Sequence, residues 1–134
     1  MKVLVDTSVW SLALRRKPSS VPVNPQTILL SELIQTSQVV MVGPVRQELL
    51  SGISDEKSFV LLKEKLDGWD DLQLNQDDYI KAAEFCNIAR RKGIQGSPTD
   101  FLLCAIAYHR NLFILTTDID FDRYATVIPI KLLK

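Results

Sequence analysis

Four acidic residues stand where the elements of an α/β protein would bring side chains together. Asp6 and Asp118 each follow an apolar run predicted to be a strand, and Glu48 and Asp100 each lie early in a predicted helix. Carboxylates that converge repel one another, and a shared divalent cation relieves that repulsion. Because no Cys or His accompanies them, the chemistry suits a hard ion with oxygen ligands, Mg²⁺ or Mn²⁺.

Each of these acids also has an ordinary structural explanation. Asp6 could cap the first helix, and Asp118 could start an Asx turn. Asp100 could complete a capping box with Ser97, and Glu48 could simply face solvent. Each explanation suffices for one residue, whereas four acids at one edge of a sheet favour a metal site.

The elements that would position these acids alternate along the chain. Apolar runs predict strands over residues 2–5, 38–42, 71–74, 112–116 and 127–130. Helical spacing and caps predict helices over residues 7–14, 45–53, 55–66 and 77–92. A further helix is predicted to begin at residue 28, and another extends from a Ser cap at residue 97 to residue 109. A helical turn is predicted over residues 118–124. Residues 19–25 are predicted to be a loop. This order is typical of a three-layer α/β fold with a mainly parallel sheet, whose carboxyl edge gathers functional residues.

Length, charge and cysteine content narrow the class of protein. The 134 residues, 46% of them hydrophobic, are expected to form one domain over residues 1–134. Sixteen basic and sixteen acidic residues exclude a polycation that coats nucleic acid. Cys86 and Cys104 form no CxxC motif, the chain has a single His, and both cysteines are expected to be buried. No targeting or membrane-spanning segment is predicted, so we expect a soluble, cytoplasmic protein without membrane contact.

Motifs of other sites fail at identifiable positions. Residues 118–122 resemble the start of an EF-hand calcium loop, but Arg123 stands where glycine is required. A phosphatase of the DxD type would need an aspartate where Ser8 stands. Gly93 and Gly96 resemble an RNA-binding GxxG loop only superficially, and helix capping explains them better.

Four segments, taken in order, carry a family resemblance. They are Val-Leu-Val-Asp-Thr-Ser-Val-Trp at residues 3–10, Val-Arg-Gln-Glu-Leu at 45–49, Pro-Thr-Asp-Phe-Leu-Leu-Cys-Ala-Ile-Ala at 98–107 and Leu-Thr-Thr-Asp-Ile-Asp-Phe at 115–121. Together they resemble the successive motifs of PIN-domain ribonucleases, over nearly the whole chain. In so small a chain the resemblance is greatest to the VapC toxins of toxin–antitoxin pairs.

The resemblance implies an endoribonuclease, dependent on Mg²⁺ or Mn²⁺, that hydrolyses RNA with a metal-activated water and leaves 5′-phosphate and 3′-hydroxyl ends. It assigns catalysis and metal binding to four acids: Asp6, Glu48, Asp100 and Asp118. Neighbouring side chains would tune the site by hydrogen bonds, or supply a further acid: Thr7, Ser8, Thr116, Thr117 and Asp120.

RNA would have to be attracted to a neutral protein by local positive charge. Two basic runs end predicted helices and are candidates for RNA binding: Arg15, Arg16 and Lys17, and Arg90, Arg91 and Lys92. Cations at helix C-termini also complement the helix dipole, so both explanations stand. Contact with phosphates would make cleavage weaken steeply with salt.

The resemblance also implies protein partners. These are a VapB-like antitoxin, whose C-terminal segment would cover the active-site groove, and a second copy of the chain in a homodimer. Leu29, Leu33, Leu61 and Leu62 could line either surface, or could be buried in the monomer. The alternative function is a catalytically silent PIN-fold module that binds RNA or protein, which the intact acids disfavour.

Overall fold

The apolar residues near the start of the chain form a central strand of a parallel sheet. In the computed structural model, which describes residues 1–15 and 24–134, β1 (Val3–Val5) lies between β2 (Val39–Val40) and β3 (Phe113–Leu115). An edge strand, β4 (Lys131–Leu132), completes the order β2-β1-β3-β4, and these strands pair in parallel.

Both faces of the sheet are covered. The three residues of β1 are at most 1% exposed. Because successive side chains of a strand point to opposite faces, such burial requires helices on both sides. The predicted three-layer α/β fold with a parallel sheet is confirmed.

The helices form close to their predicted positions. In chain order they are α1 (Thr7–Arg15), α2 (Pro25–Gln35), α3 (Gly43–Ser51), α4 (Glu56–Leu66), α5 (Gln76–Arg91), α6 (Pro98–Arg110) and α7 (Asp120–Tyr124). Side-chain caps at Asn24, Asp55, Asn75 and Ser97 accept backbone N–H groups of the first turns of α2, α4, α5 and α6. Within residues 1–15 and 24–134, no helix is long and apolar enough to cross a membrane.

The strands predicted over residues 71–74 and 127–130 do not form. The apolar residues 127–130 are not a strand, since the N–H groups of Val127 and Ile128 donate back to the carbonyl of Tyr124 and Ile128 is buried in the core. The segment 71–74 contributes only an isolated bridge between Asp71 and Met41. In both segments the apolar side chains pack against the core without forming a ladder.

Pro25 and the two glycines correct smaller expectations. The predicted loop 19–25 lies mostly outside the described residues, and Pro25 is the first residue of α2 rather than part of a loop. Gly93 follows α5 with a φ of 76°, as capping predicts. Gly96 is not a cap: it precedes the Ser97 cap, and a Cβ there would overlap the hydroxyl of Tyr124.

The cysteines are only partly as expected. Cys104 is buried and Cys86 is partly exposed, and both thiols are free. Burial raises the pKa of the Cys104 thiol, and the charges of Asp100 and Asp6 raise it further. Cys104 therefore remains a neutral thiol inside the core.

Candidate active site

Asp6 and Asp118 come together because β1 and β3 are neighbours. Val5 is in register with Leu115, and the N–H of Asp6 donates to the Leu115 carbonyl over 2.9 Å. One residue further on, the Thr116 hydroxyl donates to Asp6 Oδ2 over 2.8 Å and accepts the N–H of Asp118 over 2.9 Å. Thr116 therefore joins the two acids at the carboxyl edge of the sheet.

The carboxylate of Asp6 is buried and receives hydroxyl donors. It is 6% exposed, and Ser8 Oγ donates to the same Oδ2 over 2.8 Å. Ser8 Oγ in turn accepts the N–H of Thr117 over 3.1 Å. The alternative explanation of Asp6 as a side-chain cap does not describe these contacts, since its carboxylate accepts hydroxyls while its backbone carbonyl accepts the N–H of Val9.

Glu48 reaches the same edge from α3. Its Oε1 accepts the Thr7 hydroxyl over 2.7 Å, and Thr7 directly follows Asp6 in the chain. The preceding turn of α3 is held by Arg46, whose Nε pairs with Asp71 over 2.9 Å and whose Nη1 donates to the last carbonyl of α4. The Glu48 side chain is exposed, as expected for a surface residue, but it is also tied to the acids.

Asp100 shares an electrostatic environment with two other acids. Its N–H donates to the Ser97 cap over 3.1 Å, and its Oδ2 accepts the Tyr124 hydroxyl over 2.7 Å. Burial raises the pKa of Asp100, and the negative charges of Asp6 and Asp118 raise it further, against the opposing effect of the two hydroxyls. The charges of Asp6 and Asp118 thus act on Asp100 in the direction that converging carboxylates would produce.

Asp118 and Asp120 open α7. Asp118 Oδ1 accepts the N–H of Asp120 over 2.9 Å, so Asp118 does form the Asx-type turn considered above. Asp120 is half-buried and lies 3.7 Å from Nη1 of Arg123. Burial raises the pKa of the nearby Tyr124, and the charges of Asp100, Asp120 and Asp118 contribute. Both acids of the Asp-x-Asp pair thus lie near enough to Tyr124 for their charges to act on its hydroxyl.

The acids approach one another without forming a preformed chelate. In the part of the chain that the structure describes, no group of three or more His, Cys, Asp or Glu side chains is arranged to hold a metal ion as it stands. Hydroxyls of the protein donate to one carboxylate oxygen each of Asp6, Glu48 and Asp100.

Comparison with known proteins identifies the family. Residues 3–127 match the family model of the PIN domain. Ribonuclease VapC11 of Mycobacterium tuberculosis is 30% identical to this chain over 127 residues, which cover 93% of this chain and 92% of the relative. The chain belongs to the VapC family of PIN-domain proteins. The resemblance drawn from the four segments is confirmed, and the match spans all the acids described above.

Solved structures support the fold of this VapC-family chain. VapBC2 from Rickettsia felis, bound to a DNA fragment from its promoter, aligns with a TM-score of 0.78 at 17% identity, covering 99% of this chain and 98% of that chain. A toxin–antitoxin complex from Klebsiella pneumoniae aligns with a TM-score of 0.65 at 14% identity, covering 98% of this chain and 100% of that chain.

The second basic run of the VapC-family chain lies close to the acids. Arg90 and Arg91 end α5, Lys92 caps it, and all three are exposed. Arg90 lines an open cavity of about 280 Å³ together with Gly96 and Phe101. Gly96 lies against the Tyr124 hydroxyl, which donates to Asp100, so a single side chain links the lining of this cavity to Asp100.

The first basic run is largely outside the described residues. Arg15 is the last residue of α1, but its side chain is not described. Arg16 and Lys17 lie outside the described residues altogether. Their predicted role in RNA binding stays a prediction.

A buried ion-pair network was missed by the sequence analysis. Asp78 has no exposed surface, and its two carboxylate oxygens accept Nη1 and Nη2 of Arg110 over 2.8 and 2.9 Å. His109 Nδ1 lies 2.8 Å from Asp78 Oδ1. The Asn75-x-x-Asp78 capping box was the available signal. Arg110 lies about 15 Å along α6 from Asp100. This network therefore links α5 to α6 and is separate from the acids of the candidate site.

Proposed function

We propose that this VapC-family protein is a metal-dependent endoribonuclease and the toxin of a toxin–antitoxin pair. The observation that carries the proposal is the Thr116 hydroxyl, which joins Asp6 and Asp118 at the carboxyl edge of the sheet. Asp100 lies near enough for the charges of these two acids to raise its pKa further, after burial. In a family whose relatives are named ribonucleases, that placement supports hydrolysis of RNA phosphodiester bonds. We further propose that residues 1–134 act as one nuclease domain in the cytoplasm, where RNA is available.

The donor set fits a divalent ion, Mg²⁺ or Mn²⁺. All the candidate ligands are carboxylate oxygens, and Mg²⁺ commonly uses one or two carboxylates while keeping several waters. Asp6, Asp100 and Asp118 would hold the ion, and Glu48 would complete the set. When bound, such an ion makes a nearby water more acidic and offsets charge on the phosphate.

The chain's own hydroxyls would orient these acids. Ser8 and Thr116 fix the Asp6 carboxylate from two directions, and Thr7 holds Glu48 beside it. The N–H of Thr117 holds Ser8 in place. Such outer contacts orient metal ligands, and their loss typically costs about ten- to a hundredfold in metal affinity or activity.

The antitoxin surface is best supported on α1, α3 and α4. An open cavity of about 340 Å³ lies between these helices and includes Leu14, Leu49, Leu61 and Leu62 among its lining residues. Leu61 is 62% exposed, whereas Leu33 belongs to the core and Leu29 is partly buried against it. We therefore place the docked antitoxin segment over Leu61 and Leu62. The homodimer stays a prediction.

A cleavage assay tests the nuclease. Antitoxin-free protein is incubated with total cellular RNA and Mn²⁺ or Mg²⁺, beside an EDTA sample, and the 5′ ends of the fragments are mapped. Asp100→Asn removes one charge of the cluster, and Asp122→Asn, an exposed acid paired with Lys134, is the matched control. We expect discrete fragments with 5′-phosphate ends from wild type and Asp122→Asn, and none from Asp100→Asn or with EDTA.

The alternative function gives the opposite result. If folded wild-type protein binds the metal and RNA but cleaves no more than Asp100→Asn, the chain is a PIN-fold binding module. Co-purification with the product of a small reading frame beside the gene would separately support the antitoxin, and Leu61→Asp should abolish that co-purification while leaving cleavage intact.

A further inference from the structure

Tyr124 is a buried residue whose single polar side-chain atom reaches the acid cluster. It is the last residue of α7, has no exposed surface, and donates from its hydroxyl to Asp100 Oδ2 over 2.7 Å. The rings of Phe101 and Phe121 pack against it at centroid distances of 4.9 and 5.2 Å. Because close packing fixes the ring, the hydroxyl is a donor at a fixed point.

Gly96 leaves the space that this hydroxyl occupies. A Cβ at residue 96 would overlap the Tyr124 hydroxyl oxygen and lie 2.7 Å from Cζ and 2.8 Å from Cε1. Since the positive φ in this loop belongs to Gly93, glycine is required at 96 by proximity and not by backbone conformation. The loop between α5 and α6 is therefore shaped around the contact between Tyr124 and Asp100.

Asp100 is thus held at two points. The Ser97 cap fixes its backbone N–H at the start of α6, and Tyr124 fixes its carboxylate. A carboxylate with one oxygen bonded to a rigid donor keeps a single orientation, whereas an unsupported carboxylate rotates. Partners of this kind determine how well a ligand presents itself to a metal ion.

We propose that Tyr124 is a positioning residue for the reaction: its hydroxyl holds the Asp100 carboxylate in the orientation that binds the divalent ion, and Gly96 makes the contact possible. The inference rests on the proposed metal-dependent function. Loss of the Tyr124 hydroxyl should weaken metal binding without weakening RNA binding, because it changes how Asp100 is oriented and leaves the basic surface at Arg90 unchanged.

Metal affinity without RNA is the first measurement. Mn²⁺ binding is followed by titration calorimetry for wild type, Tyr124→Phe and Tyr79→Phe, a control tyrosine that is 55% exposed on α5. The Kd for Mn²⁺ should rise about tenfold or more in Tyr124→Phe, as for loss of other outer partners of metal ligands, and stay unchanged in Tyr79→Phe. In cleavage assays, Tyr124→Phe should need correspondingly more Mn²⁺ and recover at saturation, with the KM for RNA unchanged.

Gly96→Ala provides a second, independent variant. It should displace the Tyr124 ring and weaken Mn²⁺ binding by a similar factor. In the double variant Gly96→Ala/Tyr124→Phe the two effects should not add, because both act through one hydrogen bond. Thermal unfolding of each variant confirms that a folded protein is being measured.

The outcomes separate this inference from the proposed nuclease. If wild type cleaves RNA and folded Tyr124→Phe binds Mn²⁺ within twofold of it, the positioning role is overturned and the nuclease stands. If wild type cleaves nothing but Tyr124→Phe still weakens Mn²⁺ binding, the nuclease fails, whereas the role of Tyr124 in presenting Asp100 to the ion stands. Additive effects in the double variant would also count against a shared hydrogen bond.

Discussion

The Thr116 hydroxyl donates a hydrogen bond to Asp6 Oδ2 over 2.8 Å, joining residues at the ends of two adjacent parallel strands. The Thr116 hydroxyl oxygen also accepts the N–H of Asp118 over 2.9 Å. One side chain therefore orients a buried acid and fixes the backbone of another. The neighbouring Thr117 contributes differently, through its backbone N–H to Ser8 Oγ over 3.1 Å.

Thr116→Val should impair the site more than it impairs the fold. The change keeps the side-chain shape but removes the donor to Asp6 and the acceptor for Asp118. We expect a loss of about 1 kcal/mol in the free energy of unfolding and a fall of about tenfold or more in cleavage rate. Thr117→Val keeps its backbone N–H and is the control. Equal activity of the two variants in the RNA assay would contradict the role of the Thr116 hydroxyl in orienting Asp6 and Asp118.

Asp100→Asn should stabilise the metal-free protein. The raised pKa means that the folded state holds a proton which the unfolded chain releases above its ordinary pKa, so stability is lost as pH rises through the raised value. Where the carboxyl is ionised, its charge is partly buried and repelled by Asp6 and Asp118, and asparagine removes that charge while keeping an acceptor for Tyr124. The free energy of unfolding in EDTA should therefore rise.

Denaturant titration at neutral pH and at mildly acidic pH measures this effect. The stabilising effect of Asp100→Asn should shrink as the pH falls, because the wild-type carboxyl becomes protonated. Asp122→Asn should change stability by less than about 0.5 kcal/mol at either pH. An Asp100→Asn protein that is less stable than wild type in EDTA would show that the carboxylate is not strained by its neighbours.

Asp78 should carry much of the acid sensitivity of the fold. The hydrogen-bonded Arg110 lowers the pKa of this carboxyl despite its burial, and His109 and the N–H of Asn75 add to the effect. Because the folded pKa is depressed, the stabilisation is present above about pH 4 and is lost as the pH falls through the folded value.

Removing one partner of this buried pair leaves the other uncompensated. Asp78→Asn should lower the free energy of unfolding at neutral pH by about 3 kcal/mol, whereas Asp77→Asn, one residue away and exposed, should lower it by less than about 1 kcal/mol. Thermal and urea unfolding across pH compare the two. A similar loss in both variants would mean that charge at the start of α5, and not the Arg110 pair, stabilises the helix.

Local signals predict the helices because each helix start is encoded within a few residues. Asp55 and Ser97 accept the N–H groups three residues on, as their positions before apolar helical segments indicate. The strand over residues 127–130 fails because apolar character reports burial, and Ile128 is buried from a turn. Nothing local distinguishes a core residue in a turn from one in a ladder.

The candidate site also contains residues that the sequence predicts and residues that it does not. Asp6 and Asp118 are predictable because they follow parallel strands, and edges of parallel sheets gather such residues. The Tyr124 contact is not predictable, because it joins α7 to α6 across 24 positions and depends on the missing side chain of Gly96. From sequence Tyr124 resembles a core aromatic, which it also is.

Arg90 and Arg91 should contribute to RNA affinity in a salt-dependent way. They are exposed at the end of α5, and Arg90 lines a cavity with Gly96, which lies against the Tyr124 hydroxyl that bonds Asp100. If they contact phosphates, Arg90→Ala/Arg91→Ala should reduce the slope of log affinity against log salt by about 1.4, since each single-strand phosphate contact contributes about 0.7. Lys57→Ala/Lys63→Ala on α4 removes the same charge elsewhere and is the control.

RNA binding is measured by fluorescence anisotropy in the Asp100→Asn background, where the RNA stays intact, over a series of salt concentrations. The competing explanation, in which the arginines only complement the dipole of α5, predicts a different result. In that case Arg90→Ala/Arg91→Ala would lower the free energy of unfolding by less than about 1 kcal/mol, and the slope of log affinity against log salt would not change. A slope that falls equally in both double variants would indicate diffuse charge attraction and would remove the α5 terminus from the RNA path.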